Sequence, residues 1–270
     1  MPFVEIPDAS LHYDRDGEGP PLLLLAGMAS DGASWAPVRE PLAARHSLIL
    51  PDNRGAGQTR DAGGAITRDR MVADLLALLD DLELDRVAIL GHSMGAMLGW
   101  ALAAAAPDRV SALVPMAALP CASPARVELF ATLARLRATA DEADWFRLLF
   151  QFLFRPAFFA DGAAVDAAVI ASRDYPYKQD AASLARQAAA LESFTEPLDL
   201  TVVRCPVHPL CAVEDTLSPP RLHDAFHATA LPPQHRCSPP RHVEGAAHAL
   251  HWERPDAVVA HVLEALGATA

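Results

Sequence analysis

A chain of 270 residues with 51% hydrophobic content can bury a full core, and it fits one large α/β domain with an inserted subdomain better than two independent domains. Its formal net charge of -12 repels nucleic acid and anionic lipid surfaces within a Debye length, so neither is an expected partner, whereas a small-molecule substrate is. The first ten residues show no basic segment followed by an apolar run, and the apolar stretch 22–26 is too short to span a bilayer, which predicts a soluble cytoplasmic protein.

Residues 3–6 and 11–13 are expected to open the chain as a hairpin around Pro7-Asp8. After Gly19-Pro20, the continuous apolar run 22–26 has strand length; 35–44 then reads as a helix and 47–50 as a strand. A turn-rich stretch, 51–64, follows. The spacing of Met71, Leu75, Leu78 and Leu82 predicts a helix over 67–82, leading into a strand at 86–90. Gly91-His92-Ser93-Met94-Gly95 comes next, then an Ala-rich helix ended by Pro107 and a strand at 110–116. Strands alternating with helices in this way form a mostly parallel sheet covered on both faces.

From 119 to 197 the pattern changes. Strands vanish, helical periodicity dominates, and eight of the ten phenylalanines fall here, so this segment is expected to be a helical cap inserted between two parts of the core, 1–118 and 198–270. The core resumes with a strand-like run at 206–212, a helix at 222–230, a strand near 241–244 and an amphipathic helix at 255–266. The proline-rich stretch around 232–240 gives no clear pattern.

The four cysteines are too few for a disulfide scaffold in a chain this long. Cys205, His208 and Cys211 could be read as metal ligands, but on a strand His208 would face away from the two cysteines, so no metal is expected. Nothing in the sequence requires an organic cofactor either.

Serine is a weak nucleophile at neutral pH and needs a base within hydrogen-bond reach and donors for the charge that develops on a carbonyl oxygen. A serine on a sharp strand-to-helix turn supplies the second feature, because the amide of Met94 would open the helix and point at the nascent oxyanion. Glycines at 91 and 95 leave room for the turn.

This strand, Gly91-His92-Ser93-Met94-Gly95 elbow and helix resemble the α/β-hydrolase superfamily, in particular its cap-bearing esterase, lactonase and aminopeptidase-like members, and the likeness spans nearly the whole chain. The resemblance implies a doubly wound, mostly parallel eight-stranded sheet with an inserted helical cap. It also implies an acid and a base following the nucleophile in the order Ser, Asp or Glu, His. Residues 210–219 resemble the acid segment, with Asp215 the best match and Glu214 its competitor; 245–255 resemble the base segment, with His248 in the role and His251 a rival. His92 is expected to turn its ring away from Ser93 and to pack.

Relatives usually carry His-Gly before the second oxyanion donor. Here the pair is Ala26-Gly27, so Met28 becomes that donor, and Ala26 cannot brace the loop through a side chain. The segment 52–59 resembles a family turn and is read as mainly structural. In the cap, Phe146, Leu149 and Phe150 share one helix face and Trp145 widens the apolar arc. Gly27, Trp145, Phe146 and Phe150 are therefore the candidate substrate-binding residues, and an apolar or aromatic acyl group is the expected substrate.

The expected activity is that of a serine hydrolase of carboxylic esters, with Ser93, His248 and Asp215 catalytic and Met28 and Met94 forming the oxyanion hole. The same triad could serve lactone opening, carbon–carbon cleavage, N-terminal peptide cleavage or cofactor-free peroxide chemistry. A reading from another class is a ligand-sensing binding protein with slow turnover. The sequence allows a monomer or a homodimer.

Overall fold

The computed structural model describes residues 2–229 and 236–267. Nine strands form one sheet: β1 (Phe3–Ile6), β2 (Ala9–Asp16), β3 (Pro21–Leu25), β4 (Ser47–Pro51), β5 (Arg60–Asp61), β6 (Val87–His92), β7 (Val110–Met116), β8 (Leu210–Ala212) and β9 (Arg241–Val243). Eight of them lie in the order β1-β2-β4-β3-β6-β7-β8-β9, which matches the expected eight-stranded sheet. The ninth, β5, is a two-residue strand paired with β2 inside the stretch that reads as turns. From β4 to β9 along that order all neighbours run parallel, while β1 and β2 form the antiparallel edge.

The apolar runs of the central strands follow from burial on both faces. On β3, Leu23 and Leu25 enter one apolar cluster and Leu22 and Leu24 the other. Ile49 and Leu48, and Ile89 and Leu90, divide in the same way. Helices α1 (Ala36–Ala43), α2 (Arg68–Asp81) and α3 (Met94–Ala105) follow β3, β4 with β5, and β6 in the chain. The second and third of these cover one face through Met71, Leu75, Leu78, Met97 and Leu98. The first covers the other face through Val38 and Leu42. Thr67 caps α2, its side chain accepting from the amide of Arg70 at 3.3 Å.

Between β7 and β8 lie α4 (Pro124–Arg137), α5 (Glu142–Leu153), α6 (Gly162–Asp174) and α7 (Ala181–Ala190). Each begins on a side-chain cap, from Ser123, Asp141, Asp161 and Asp180 in turn, which is why this stretch breaks into short separate helices. Their apolar faces meet in a cluster of their own, around Leu133, Trp145, Leu149, Phe150, Val169 and Leu184. Polar contacts fasten the segment to the sheet side: Gln187 Nε2 donates to Arg54 O at 2.8 Å, Arg186 pairs with Asp61 at 2.6 Å, and the Ala249 amide donates to Leu153 O at 2.8 Å.

The chain closes with α8 (Pro220–Thr229), the short α9 (Leu250–Glu253) and α10 (Pro255–Gly267), whose Val258, Val262 and Leu266 join Val38 and Leu42 under the sheet. The last residue of the expected helix 222–230 and part of the unpatterned stretch after it lie outside the described residues. Among the described residues no helix is long and apolar enough to cross a membrane.

Candidate active site

Ser93 stands alone between the last residue of β6 and the first of α3, with φ 53° and ψ -117°. That conformation is strained for any residue with a Cβ. Its neighbours are forced to be glycine by space: a Cβ on Gly91 would lie 2.4 Å from Gly95 O, and one on Gly95 would lie 2.0 Å from Leu25 O. The tight turn is held by the Ser93 amide donating to Met116 O at 2.9 Å. It presents the hydroxyl beyond the ends of the parallel strands, where open α/β sheets place their ligands.

Two loops from distant parts of the chain converge on that hydroxyl. The loop after β8 carries Asp215 and the loop after β9 carries His248. His248 Nε2 lies 2.8 Å from Ser93 Oγ, and His248 Nδ1 lies 2.8 Å from Asp215 Oδ2. A carboxylate can only accept, so Nδ1 carries the proton and Nε2 is left to accept from the serine. The other oxygen, Asp215 Oδ1, accepts from the amides of Leu217 and Ser218 at 2.8 and 2.9 Å. Burial pushes the Asp215 carboxyl up, but the adjacent His248 charge and these hydrogen bonds outweigh it and hold the group below its ordinary range. Glu214, its competitor in the sequence, is exposed.

The buried His92 ring packs against the His248 and His251 rings at 5.0 and 4.6 Å; it also lines the cavity beside Ser93, and its Nε2–H donates to the backbone carbonyl of His248 at 2.9 Å. Burial, then the nearby His248 charge, push it down to about 3, so the ring is neutral and holds the base's backbone in place. His251, the rival base, is buried between Trp35 and His92, at ring separations of 5.1 and 4.6 Å. Burial holds it neutral as well.

Gly27 and Met28 follow β3 and line the same cavity. A Cβ on Gly27 would sit 3.2 Å from Ser93 Cβ and from His92 Nδ1, so this approach suits glycine. The bracing that Ala26 cannot supply comes from the turn after β4. Asn53 Nδ2 donates to Ala26 O at 3.1 Å, and Asp52 Oδ1 accepts from the Gly32 amide at 2.9 Å. Asp52 is itself fixed by the buried His12, Nδ1 to Oδ2 at 2.8 Å. The Met94 side chain is buried in the core, and its amide opens α3, where no carbonyl of the helix can accept from it.

The cavity in front of Ser93 has a volume of about 450 Å³. Phe130, Phe146, Leu149, Phe150, Phe154 and Phe158 form its far wall. Phe146 and Phe150 thus lie where the sequence suggests; Trp145 does not line this cavity, and its Nε1 donates to Leu133 O at 2.8 Å. Sequence reasoning did not foresee the bond from His92 to the His248 carbonyl or the brace from Asn53. The signals were faint: a histidine next to the elbow, and an amide inside Asp52-Asn53-Arg54-Gly55.

The family described as "alpha/beta hydrolase fold" matches residues 20–255. Over 165 residues the chain is 33% identical to the candidate carbamate hydrolase RutD of Azorhizobium caulinodans, a match spanning 61% of this chain and 62% of that relative's length. Among solved structures, a thermophilic esterase from Thermogutta terrifontis superposes with a TM-score of 0.81 at 26% identity, covering 97% of this chain and 94% of that one. The enol-lactonase of Burkholderia xenovorans LB400 shares the fold at a TM-score of 0.84 and 24% identity, covering 98% and 100%.

Proposed function

Because the chain belongs to the α/β-hydrolase family, we propose that it hydrolyses small carboxylic esters with apolar or aromatic acyl groups through an acyl intermediate on Ser93. The observation that carries this reading is the unbroken relay from Ser93 Oγ through His248 to Asp215, each link 2.8 Å long. In the first half-reaction the serine oxygen attacks the ester carbonyl as its proton passes to His248 Nε2. Asp215 keeps the Nδ1–H tautomer and stabilises the imidazolium. The amides of Met94 and Met28 receive the oxyanion.

Collapse of the tetrahedral intermediate breaks the bond to the alkoxy oxygen, which leaves with the proton from His248 as free alcohol. Water then attacks the acyl-serine, giving its proton to His248, and the acid and free Ser93 result. In this reading the helical segment 119–197 serves as the cap, and its phenylalanine wall takes the acyl group. The named activities among the similar proteins, an esterase and a candidate carbamate hydrolase, are both acyl transfers to water and support the reaction class.

The test is hydrolysis of p-nitrophenyl esters from acetyl to decanoyl and benzoyl, with Ser93→Ala in parallel. Sustained turnover that falls by several orders of magnitude in the variant, with the fold intact, is expected. Turnover unchanged in Ser93→Ala, or none in either protein, overturns the reading.

A further inference from the structure

A second chamber of about 270 Å³ adjoins the Ser93 cavity. Ser30, Ser34, Phe146, Ala171, Ser172 and Trp252 belong to the walls of both, which sets the two chambers side by side. Both are lined mainly by apolar surface, and beside Trp145, Phe146 and Leu184 the second also presents Asp31, Tyr175, Tyr177, Lys178 and Gln179.

At the Asp31 end of this chamber the direction of the hydrogen bonds decides which groups can be received. Tyr175 Oη donates to Asp31 Oδ2 at 2.8 Å, and Ser34 Oγ donates to Asp31 O at 2.7 Å. Each hydroxyl has one proton and both protons are committed, so both oxygens are left with only lone pairs to offer. Both oxygens of the almost fully buried Asp31 carboxyl already accept, Oδ2 from Tyr175 and Oδ1 from the Ala33 amide at 2.9 Å, and each keeps a second lone pair. Burial, then the nearby Asp52 charge, raise this carboxyl above its ordinary range. Lys178 directs its ammonium to Glu142 Oε2 at 3.2 Å and to Arg173 O, both on the helical segment.

We infer that the second chamber holds the leaving-alcohol half of the substrate and selects an alcohol that carries a hydrogen-bond donor, either a further hydroxyl or a protonated amine. The inference rests on the esterase reading for the placement of the ester bond at Ser93. It narrows the substrate to a two-part molecule: apolar on its acyl side, donor-bearing on its alcohol side. Asp31 and Tyr175 are then specificity-determining residues.

The experiment compares isosteric pairs of hexanoate esters: hydroxyethyl against propyl, and dimethylaminoethyl against 3-methylbutyl. Each pair differs in one donor group at constant size, and the tertiary amine cannot undergo acyl migration. In the wild-type enzyme kcat/KM should favour the donor-bearing member of at least one pair by about tenfold, the order expected for one buried hydrogen bond to an acceptor. Which pair shows the larger ratio tells hydroxyl from ammonium. Tyr175→Phe and, separately, Asp31→Asn should bring that ratio down several-fold, whatever their effect on absolute rate. Ratios near one in the wild type overturn the inference, as does a ratio that survives both substitutions.

Dissociation constants of the same esters for Ser93→Ala, measured by calorimetry, separate this inference from the esterase reading. Donor preference in binding without turnover in the wild type supports the chamber and sinks the esterase reading. Turnover without donor preference does the opposite.

Discussion

Asp215 and Asn53 each act through a single geometric effect. The carboxylate of Asp215 only accepts, and so it settles which nitrogen of His248 carries the proton. An asparagine of the same shape can present its amide N–H instead and turn the ring to the tautomer that cannot accept from Ser93. Asp215→Asn should therefore lower kcat by about 10³- to 10⁴-fold while KM stays within roughly threefold, measured on the best p-nitrophenyl ester. A loss under tenfold would mean that the aspartate does not set the tautomer. Ser93 was legible in the sequence because the elbow is a local pattern, and Asp215 and His248 because the family that the elbow resembles implies where acid and base follow. The brace from Asn53 to Ala26 was not, because it joins two loops that only the parallel pairing of β3 with β4 brings side by side. The hydrogen bond that the packed His92 ring makes was hidden for the same reason: its partner is a carbonyl contributed from the far end of the chain.

At the scale of elements, the sheet and its covering helices were readable from periodicity, and most predicted bounds fall within a few residues of the observed ones. The shortest piece was not. The two residues of β5 carry too little pattern to be told from a turn, and their strand character comes from pairing with β2. The phenylalanines of α5 were legible as a wide apolar arc, but which of them face the cavity depends on how α5 packs against its fellow helices. Phe150 serves both, packing in the helical cluster and lining the Ser93 cavity. Phe150→Ala should cost about 3 kcal/mol, at the lower end for a buried aromatic because the void it leaves merges with an existing one. It should also move the preferred acyl chain to greater length. A thermal midpoint and a chain-length optimum both unchanged would show that Phe150 neither packs nor lines the pocket as described.

For the whole molecule, several buried histidines set the response to acid. Burial is the main cause that pushes His92 down to about 3 and His223 to about 4, and it holds His251 low as well. In the unfolded chain these rings take up protons as the pH falls through the ordinary imidazole value of 6.5, while the folded chain refuses them. The unfolded state thus binds more protons in this window, and stability must fall as the pH falls. The urea midpoint should decline steadily from about pH 6.5 towards pH 4, and a midpoint flat across that range would contradict the burial of these rings. The conformation of Ser93 has a further consequence. Glycine adopts a positive φ at no steric cost, so folding alone would favour Gly over Ser at this position. In the esterase reading only the reaction keeps serine there, and a descendant that no longer needed it would be free to drift away from Ser93 with its architecture undisturbed.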